Sequence, residues 1–266
     1  MDPKELLKAG KLSAARMQLT EGVKSFPSDT ARRTLLFQSL LFCGEWDKAE
    51  RHLDLLASQD SRSETGVQVY KNLIAAERER LEVQSGNRRP AFMTAVPPYL
   101  DAFFITREKL QAGKSKEASE GFREIEKQLP AVTGMLDGTP FKELRDMDAC
   151  IPWFLEIFIH DHYLWIPFSS LRELSMTAPK TLLDTLWAPA RIATVEGLAT
   201  SCFVPVLYPG TAACDDDLVR LGRMTVWEEL GDDFYRGAGQ HLLQVGGIEK
   251  GLLEIRELVV DHENAH

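Results

Sequence analysis

The sequence lacks any run of 18 apolar residues, so it contains no candidate membrane span. Cysteine is also sparse. Cys43, Cys150, Cys202 and Cys214 are scattered without a Cys-x-x-Cys pair, which argues against a zinc site and indicates reduced thiols. The first residues are charged and lead directly into a predicted helix, unlike a signal peptide. These absences predict a cytoplasmic protein.

Basic residues are outnumbered by acidic ones. The chain has 31 Lys and Arg against 40 Asp and Glu, a formal net charge of −9. Nucleic-acid binding usually leaves a basic footprint, so we expect no nucleic-acid partner. A length of 266 residues, with 44% hydrophobic and 27% charged residues, is ordinary for a soluble chain of one large or two small domains.

Catalytic signatures are missing as well. Ala112–Ser115 resembles the end of a phosphate-binding loop, but Glu108 stands where that motif needs its first glycine. His160 and His162 could share one strand face, yet no third metal ligand is suggested near them in the sequence. The chain has no G-x-S-x-G motif and no cysteine–histidine signature. We therefore predict a non-enzymatic protein with no catalytic residue, metal or cofactor.

The clearest pattern that is present is an internal repeat. Gly10 and Gly44 lie 34 residues apart, as do Ala15 and Ala49, and a further copy has its glycine at Gly113. A 34-residue period is typical of tetratricopeptide repeats. The glycine permits the turn between two helices, and the small alanine lets those helices pack closely. The sequence therefore predicts an all-α tetratricopeptide-like repeat domain over residues 1–130.

The copy expected between the second and the last is incomplete. Residues 64–83 carry apolar side chains at helical spacing and predict one long helix, with Arg78 in place of the turn glycine. A loop rich in Gly, Asn, Arg and Pro follows over residues 85–98.

Residues 131–266 have a different pattern, which predicts a small α+β domain with antiparallel strands. Two apolar runs in residues 154–168 flank the polar residues 160–162 and predict a β-hairpin that ends at Pro167. Residues 169–174 and 179–187 predict two short helices. Further strands are predicted over residues 191–195, 201–208 and 252–260, whereas Leu242 and Leu243 predict a short helical or irregular stretch. The predicted fold class is thus α+β.

Two surfaces are candidates for partner binding. Stacked helix pairs form a curved surface lined by the first helix of each pair, which suits an amphipathic helix. Packing in the core is the alternative for its two phenylalanines. The hairpin face with Tyr163 and Trp165 is a second candidate patch. Repeat geometry places the following residues on the concave surface: Thr34, Gln38, Phe42, Phe103, Arg107 and Gln111.

Several segments of the second domain resemble the ImpE family, also called TagJ or SciE-type. The similarity covers most of the chain in order. Val226 departs from it, because an acidic residue is expected there. The matching segments are D-G-T-P-F-x-x-L-R-D-x-D at 137–148, L-E-I at 155–157, Y-L-W-I-P-F at 163–168, L-W-A-P-A at 186–190, V-P-V-L-Y-P-G at 204–210, L-G-R-M-T-x-W at 221–227 and R-G-A-G-Q at 236–240.

The resemblance implies an accessory role in bacterial type VI secretion. It implies binding to the N-terminal helix of the small sheath subunit and a link to the ClpV-type ATPase that recycles the sheath. Two alternatives stay open: an enzyme in the second domain whose substrate the repeats recruit, or a general tetratricopeptide adaptor unrelated to secretion.

Overall fold

The computed structural model describes residues 2–59 and 64–262. Seven α-helices of the described residues lie in the first half of the chain, and one short helix, α8 (Asp217–Arg220), lies in the second. The helices of the first half are α1 (Pro3–Lys8), α2 (Leu12–Ser25), α3 (Thr30–Phe42), α4 (Trp46–Gln59), α5 (Glu64–Gln84), α6 (Leu100–Gln111) and α7 (Ser115–Glu126).

The helix pairs have the turn glycines and the buried alanines that the repeat predicts. Gly10, Gly44 and Gly113 have φ angles of 75°, 67° and 74°, a left-handed conformation that side chains with a Cβ atom adopt at a cost. The alanines 34 residues apart, Ala15 and Ala49, are fully buried between helices. The predicted helix pairs and glycine turns are therefore present. The middle segment is the single long helix α5, as predicted.

Most of the remaining regular structure among the described residues is strand. The strands are β1 (Ala91–Phe92), β2 (Gly134–Leu136), β3 (Thr139–Phe141), β4 (Leu144–Asp146), β5 (Phe154–Ile159), β6 (His162–Pro167), β7 (Leu171–Met176), β8 (Trp187–Thr194), β9 (Ala199–Pro205), β10 (Val226–Gly231), β11 (Phe234–Ala238), β12 (Leu242–Val245), β13 (Ile248–Gly251) and β14 (Glu257–Val260).

Nine of these strands form one sheet in the order β1-β6-β5-β9-β8-β7-β14-β2-β3. Neighbouring strands in this sheet are antiparallel except β1 and β6, which are parallel. Strand β1 lies in the loop between α5 and α6. A three-stranded sheet, β13-β12-β4, and the β10–β11 ribbon complete the second half. The predicted α+β class is confirmed.

The predicted hairpin is β5–β6. Its turn is His160–Asp161, with His160 in the left-handed region at φ 54°, and β6 ends at Pro167 as predicted. Side chains on both hairpin faces are buried, including Tyr163 and Trp165. The hypothesis of an exposed aromatic patch there is therefore wrong.

Two predicted helices are strands or irregular instead. Residues 171–176 are β7, whose Leu171, Leu174 and Met176 are buried and which pairs with β8 and β14. Residues 179–187 contain one 3₁₀ turn, Leu183–Thr185, before β8 begins. Pairing with distant strands overrides the local capping signals, since strand preference depends on tertiary context.

Further along, residues 191–262 contain more strands than predicted. Leu242 and Leu243 belong to β12, which pairs with both β13 and β4. The expected last strand is shorter, because Leu252–Glu254 form a 3₁₀ turn and only Glu257–Val260 pair as β14.

The long helix α5 packs on one face of the nine-stranded sheet. It crosses the part formed by β5 and β6, where Phe154, Phe158 and Trp165 are nearly inaccessible to solvent. The same face continues over β9, β8 and β7, and there Ser201 and Arg191 are exposed. The helical layer therefore covers only part of this face.

Candidate functional site

Three of the residues predicted to bind a partner lie on α3. Thr34 and Gln38 are half-buried, whereas Phe42 is only 1% exposed and packs in the core. Thr34 Oγ1 donates a hydrogen bond of 2.9 Å to the carbonyl of Thr30, one turn earlier in the same helix. Only Thr34 and Gln38 of this group offer side-chain surface.

The other three lie on α6. Phe103 is completely buried, Arg107 is buried, and Gln111 is exposed. Arg107 Nη2 donates to the carbonyl oxygens of Val83 at 3.3 Å and Gln84 at 2.8 Å. Since the last carbonyls of a helix lack partners within it, Arg107 completes the C-terminal end of α5.

The protein's own sheet fills the space beside Phe103. The Phe103 ring centroid lies 5.4 Å from that of Phe154, 5.7 Å from that of Trp153 and 6.0 Å from that of Trp165. A peptide could reach Phe42, Phe103 or Arg107 only after the packing changed. Partner binding by the six residues stays a prediction.

A buried ion pair joins α5 to the sheet. Arg80 Nε donates to Glu156 Oε1 at 2.8 Å, and Arg80 Nη2 donates to Glu156 Oε2 at 2.5 Å. Arg80 Nη2 also donates to the carbonyl of Leu207 at 2.8 Å. Burial by itself would raise the pKa of Glu156, but Arg80 and His241 hold it well below its usual range. Glu156 is therefore a carboxylate.

His241 links Glu156 to a second carboxylate. Its Nδ1–H donates to Asp146 Oδ2 at 2.6 Å, and its Nε2 lies 3.1 Å from Glu156 Oε2 as an ion pair. Burial would lower the pKa of His241, but these two carboxylates raise it to about 9, so both nitrogens carry protons at neutral pH. The Tyr208 hydroxyl donates to Asp146 Oδ1 at 2.8 Å.

Two more buried carboxyl groups, those of Glu77 and Asp148, lie next to the network of Arg80, Glu156 and His241. Trp187 Nε1 donates to Glu77 Oε1 at 3.0 Å, and burial raises the pKa of Glu77. Asp148 accepts a hydrogen bond from the backbone N–H of Cys150 at 2.7 Å. Burial, reinforced by the charge of Asp146, raises the pKa of Asp148 to about 6. Each of these groups has a hydrogen-bond partner inside the protein.

This arrangement joins α5 to the sheet. The cavity beside Arg80, Glu156 and Tyr163 has a volume of about 30 Å³, room for about one water molecule. Glu77, Arg80 and Tyr208 also line a cavity of about 330 Å³ on the other side. Arg80, Glu156 and His241 use their polar atoms to hold α5 against the sheet.

The large open concavity lies elsewhere on the same sheet face. It is a groove of about 860 Å³, and the first half of α5 forms one wall while strands β7, β8 and β9 form the floor. Val69 and Leu73 belong to the wall. Prominent floor residues are Ser175, Pro189, Arg191, Ser201 and Phe203.

Within residues 2–59 and 64–262 no group of three or more His, Cys, Asp and Glu side chains is placed to hold a metal ion. His160 and His162 therefore have no third such ligand among the described residues. No helix in the described part of the chain has the length and hydropathy needed to cross a membrane.

Comparison with known proteins identifies the family. The chain is 35% identical over 259 residues to the type VI secretion system accessory component TagJ of Pseudomonas aeruginosa, covering 97% of this chain and 90% of that protein. A model of the family described as ImpE protein matches residues 138–259. The chain belongs to the ImpE family. The resemblance inferred from the motifs is thus confirmed.

The fold of this ImpE-family chain also occurs in a solved structure. The X-ray structure of a structural-genomics target from Vibrio parahaemolyticus superposes with a TM-score of 0.85 and 21% sequence identity. The superposition covers 99% of this chain and 98% of that one, so the two share one fold over their whole length.

The buried network was missed at the level of sequence. Asp146, Glu156 and His241 lie within the residues that match the family, and Glu156 interrupts the apolar run of β5. A carboxylate in a fully buried strand requires a partner, which was the available signal. Val226, where an acidic residue is expected, is 40% exposed and pairs with Ala238 in the β10–β11 ribbon.

Proposed function

We propose that this chain is an accessory component of a type VI secretion system and acts as a non-enzymatic adaptor. The observation that carries this proposal is the 35% identity to the accessory component TagJ of Pseudomonas aeruginosa over 97% of the chain. Identity spread over both the helical and the sheet portions supports a shared role for the whole chain.

The partner in this proposal is the N-terminal helix of the small sheath subunit. Two surfaces support helix binding. Thr34, Gln38 and Gln111 offer side-chain surface on α3 and α6, and the open groove beside α5 has a volume of about 860 Å³. Helices that bind in grooves place an apolar face inward, and both surfaces are next to apolar core. Binding there would bring the sheath to the ClpV-type ATPase that recycles it.

The two alternatives have less support. An enzyme needs titratable groups that face an accessible cavity. Glu156 lines cavities of only about 30 and 10 Å³, and the cavity of about 330 Å³ that Glu77 and Arg80 reach is otherwise mostly apolar. The groove of about 860 Å³ is lined by His160, Arg191 and mostly small or apolar residues. A general adaptor unrelated to secretion would bind helical peptides without preference for the sheath.

Calorimetric titration of the full chain with a peptide of the cognate sheath subunit's N-terminal helix tests the proposal. We expect saturable binding, and a peptide of the same composition in scrambled order, which loses the apolar stripe, is the control. Absence of heat up to high micromolar peptide would overturn the sheath assignment. Equal binding of both peptides would favour the general adaptor.

The same titration tests the repeat surface. The double variant Thr34→Glu and Gln38→Glu places two charges on half-buried positions of α3 and leaves the buried residues of the core in place. Loss of binding in this variant would assign the site to the repeats. Unchanged affinity would assign the peptide to another surface of the same protein.

A further inference from the structure

We propose that the cavity of about 330 Å³ between α3, α5 and residues 207–213 binds a free aliphatic primary amine. The ammonium group of this ligand pairs with Glu77, and its unbranched hydrocarbon chain fills the apolar part of the cavity. The site shares no lining residue with the groove beside α5, and it requires no protein partner.

The polar end of the cavity is the carboxyl group of Glu77, a residue that is only 4% exposed. Its Oε1 accepts hydrogen bonds from Trp187 Nε1 at 3.0 Å and from Arg80 Nη1 at 3.4 Å. Its Oε2 accepts none from residues 2–59 and 64–262, and this atom is not sealed from solvent. Glu77 lines the cavity, so Oε2 is the carboxyl oxygen that a ligand can reach there.

Charge favours a cation at this oxygen. Arg80 also lines the cavity, but its Nε and Nη2 donate to Glu156. The buried network has more carboxyl groups than cations, and an unpaired buried charge is costly, so a carboxylate ligand is disfavoured. Burial raises the pKa of Glu77, and an ammonium at Oε2 would oppose that rise by favouring the carboxylate. The carboxyl groups are those of Glu77, Asp146, Asp148 and Glu156, and the cations are Arg80 and His241.

The rest of the cavity suits a hydrocarbon chain. Two hydroxyl groups that line it are used inside the protein, since Tyr208 donates to Asp146 Oδ1 at 2.8 Å and Thr211 Oγ1 donates to the carbonyl of Tyr208 at 2.6 Å. A volume of about 330 Å³ is at the lower end of the range for small-molecule sites. The apolar walls are formed by Leu41, Phe42, Trp46, Leu81, Leu186 and Leu207.

A ligand here would connect three separate parts of the chain. The walls come from the end of α3, from α5 and from the segment that follows β9. A Cβ atom at Gly44 would lie 2.9 Å from Ala212 Cβ, so the repeat turn and this segment approach closely beside the cavity. Because the site exists only when these parts are assembled, a bound amine should raise the unfolding temperature in a concentration-dependent way.

Calorimetric titration of the full chain with hexylamine at neutral pH tests the proposal. We expect saturable binding that tightens about fourfold for each methylene added from propylamine to hexylamine, as the apolar walls require. Hexanol has the same hydrocarbon chain without the charge. It should bind at least about tenfold more weakly, because a hydrogen bond to a charged group is stronger than one between neutral groups.

Two variants test the two ends of the site. Glu77→Gln keeps an oxygen for the Trp187 N–H but removes the charge, so it should weaken hexylamine binding at least about tenfold and leave hexanol binding unchanged. Ala213→Trp changes an exposed residue that lines the cavity and should weaken both ligands. Ala131→Trp is the matched control, an exposed alanine outside the cavity, and should bind both ligands as the wild type does.

Thiol protection locates the ligand in the unmodified protein. Cys43 lines the cavity, whereas Cys214 does not, and both are half-buried. Hexylamine should slow the reaction of Cys43 with a methanethiosulfonate reagent and leave the rate at Cys214 unchanged, measured by peptide mass spectrometry.

The outcomes decide the proposal separately from the sheath titration. No binding of hexylamine, or binding that Glu77→Gln and Ala213→Trp both leave unchanged, would overturn it. Equal affinity for hexylamine and hexanol would overturn the ion pair with Glu77. A blocked Ala-Lys-Ala peptide that binds more tightly than hexylamine would overturn the free amine as the ligand and give the cavity to a lysine of a protein partner.

Discussion

One face of the nine-stranded sheet has two halves that differ in their charged side chains, which are buried and paired in one half and exposed in the other. Where α5 covers the sheet, Arg80 of α5 and Glu156 and His241 beneath it are buried. Each makes two or more hydrogen bonds or ion pairs. Beside α5, over β8 and β9, Arg191 and Ser201 are exposed, and Arg191 has no ion pair among the described residues.

The comparison shows what covering a sheet requires. A buried charge is costly unless paired and hydrogen-bonded, so each charge beneath α5 must have its partner inside the protein. A charge on the open half remains hydrated and is available to an outside partner. The covered half should therefore govern stability, and the open half should govern association.

The largest effect should come from breaking the ion pair under α5. Arg80→Met leaves Glu156 buried without its main partner and should lower the free energy of unfolding by about 3–5 kcal/mol. Arg78→Ala is the control, because Arg78 is partly exposed and pairs with Asp47 and Glu50 at the surface. It should cost at most about 1 kcal/mol.

Urea unfolding measures both variants. The double variant Arg80→Met and Glu156→Gln should be more stable than Arg80→Met alone, because it removes the stranded charge as well. Equal losses for Arg80→Met and Arg78→Ala would mean that the covered half does not differ from the surface.

The next effect is a dependence on pH. Because the folded-state pKa of His241, about 9, lies above its ordinary value of 6.5, its stabilisation is complete below pH 6.5 and is lost as pH rises through 9. The loss should be on the order of 3 kcal/mol. Asp148, whose pKa is raised to about 6, favours folding at acidic pH and loses that contribution as pH rises through about 6, below this window.

Unfolding free energies at pH 6.5 and pH 9 test this assignment. His241→Gln should flatten the decline, whereas His162→Gln, at a residue whose side chain is 64% exposed, should leave it unchanged. A decline that persists fully in His241→Gln would place the responsible group elsewhere.

A smaller loss is expected at the boundary between the halves. Trp187→Phe removes the shorter of the two hydrogen bonds that Glu77 Oε1 accepts, the other coming from Arg80 Nη1 at 3.4 Å, and should cost about 1 kcal/mol, the net value of one buried hydrogen bond. Trp153→Phe is the control, since its indole N–H makes no hydrogen bond within the described residues. Thermal unfolding of the two variants gives the comparison, and a larger loss in Trp153→Phe would contradict it.

The smallest effect should be on the open half. Arg191→Glu and Ser201→Trp change exposed side chains and should shift the free energy of unfolding by no more than about 0.5 kcal/mol. Urea unfolding of these variants beside Arg172→Glu checks this. A loss of several kcal/mol in either would show that the open half already supports the fold.

The helical half could be predicted because its signals are local. Gly10 and Gly44 specify turns within a few residues, and Ala15 and Ala49 repeat at a fixed spacing. The β5–β6 hairpin was predictable for the same reason, since its strands are adjacent in the chain. Strand β7 was not, because its partners β8 and β14 decide its conformation and β14 begins at Glu257.

The candidate site was harder to predict for a related reason. Helical spacing correctly aligned Phe103, Arg107 and Gln111 on α6, but spacing carries no information about what covers that face. The sheet that buries Phe103 comes from later in the chain. The same limit hid the network around Glu156, whose partners Arg80 and His241 belong to distant segments.

The partners of Arg80 in this ion-pair network are synthesised at different times. Glu156, the carbonyl of Leu207 and His241 lie 76, 127 and 161 residues after Arg80. At a synthesis rate of about 5–20 residues per second, Arg80 leaves the ribosome roughly 10–30 s before His241 does. During that interval α5 has the sequence of a buried helix, but the sheet that buries it is still incomplete. The buried face of α5 is therefore exposed in the nascent chain. Chaperones that bind exposed apolar surfaces would act on this face before residue 241 is synthesised.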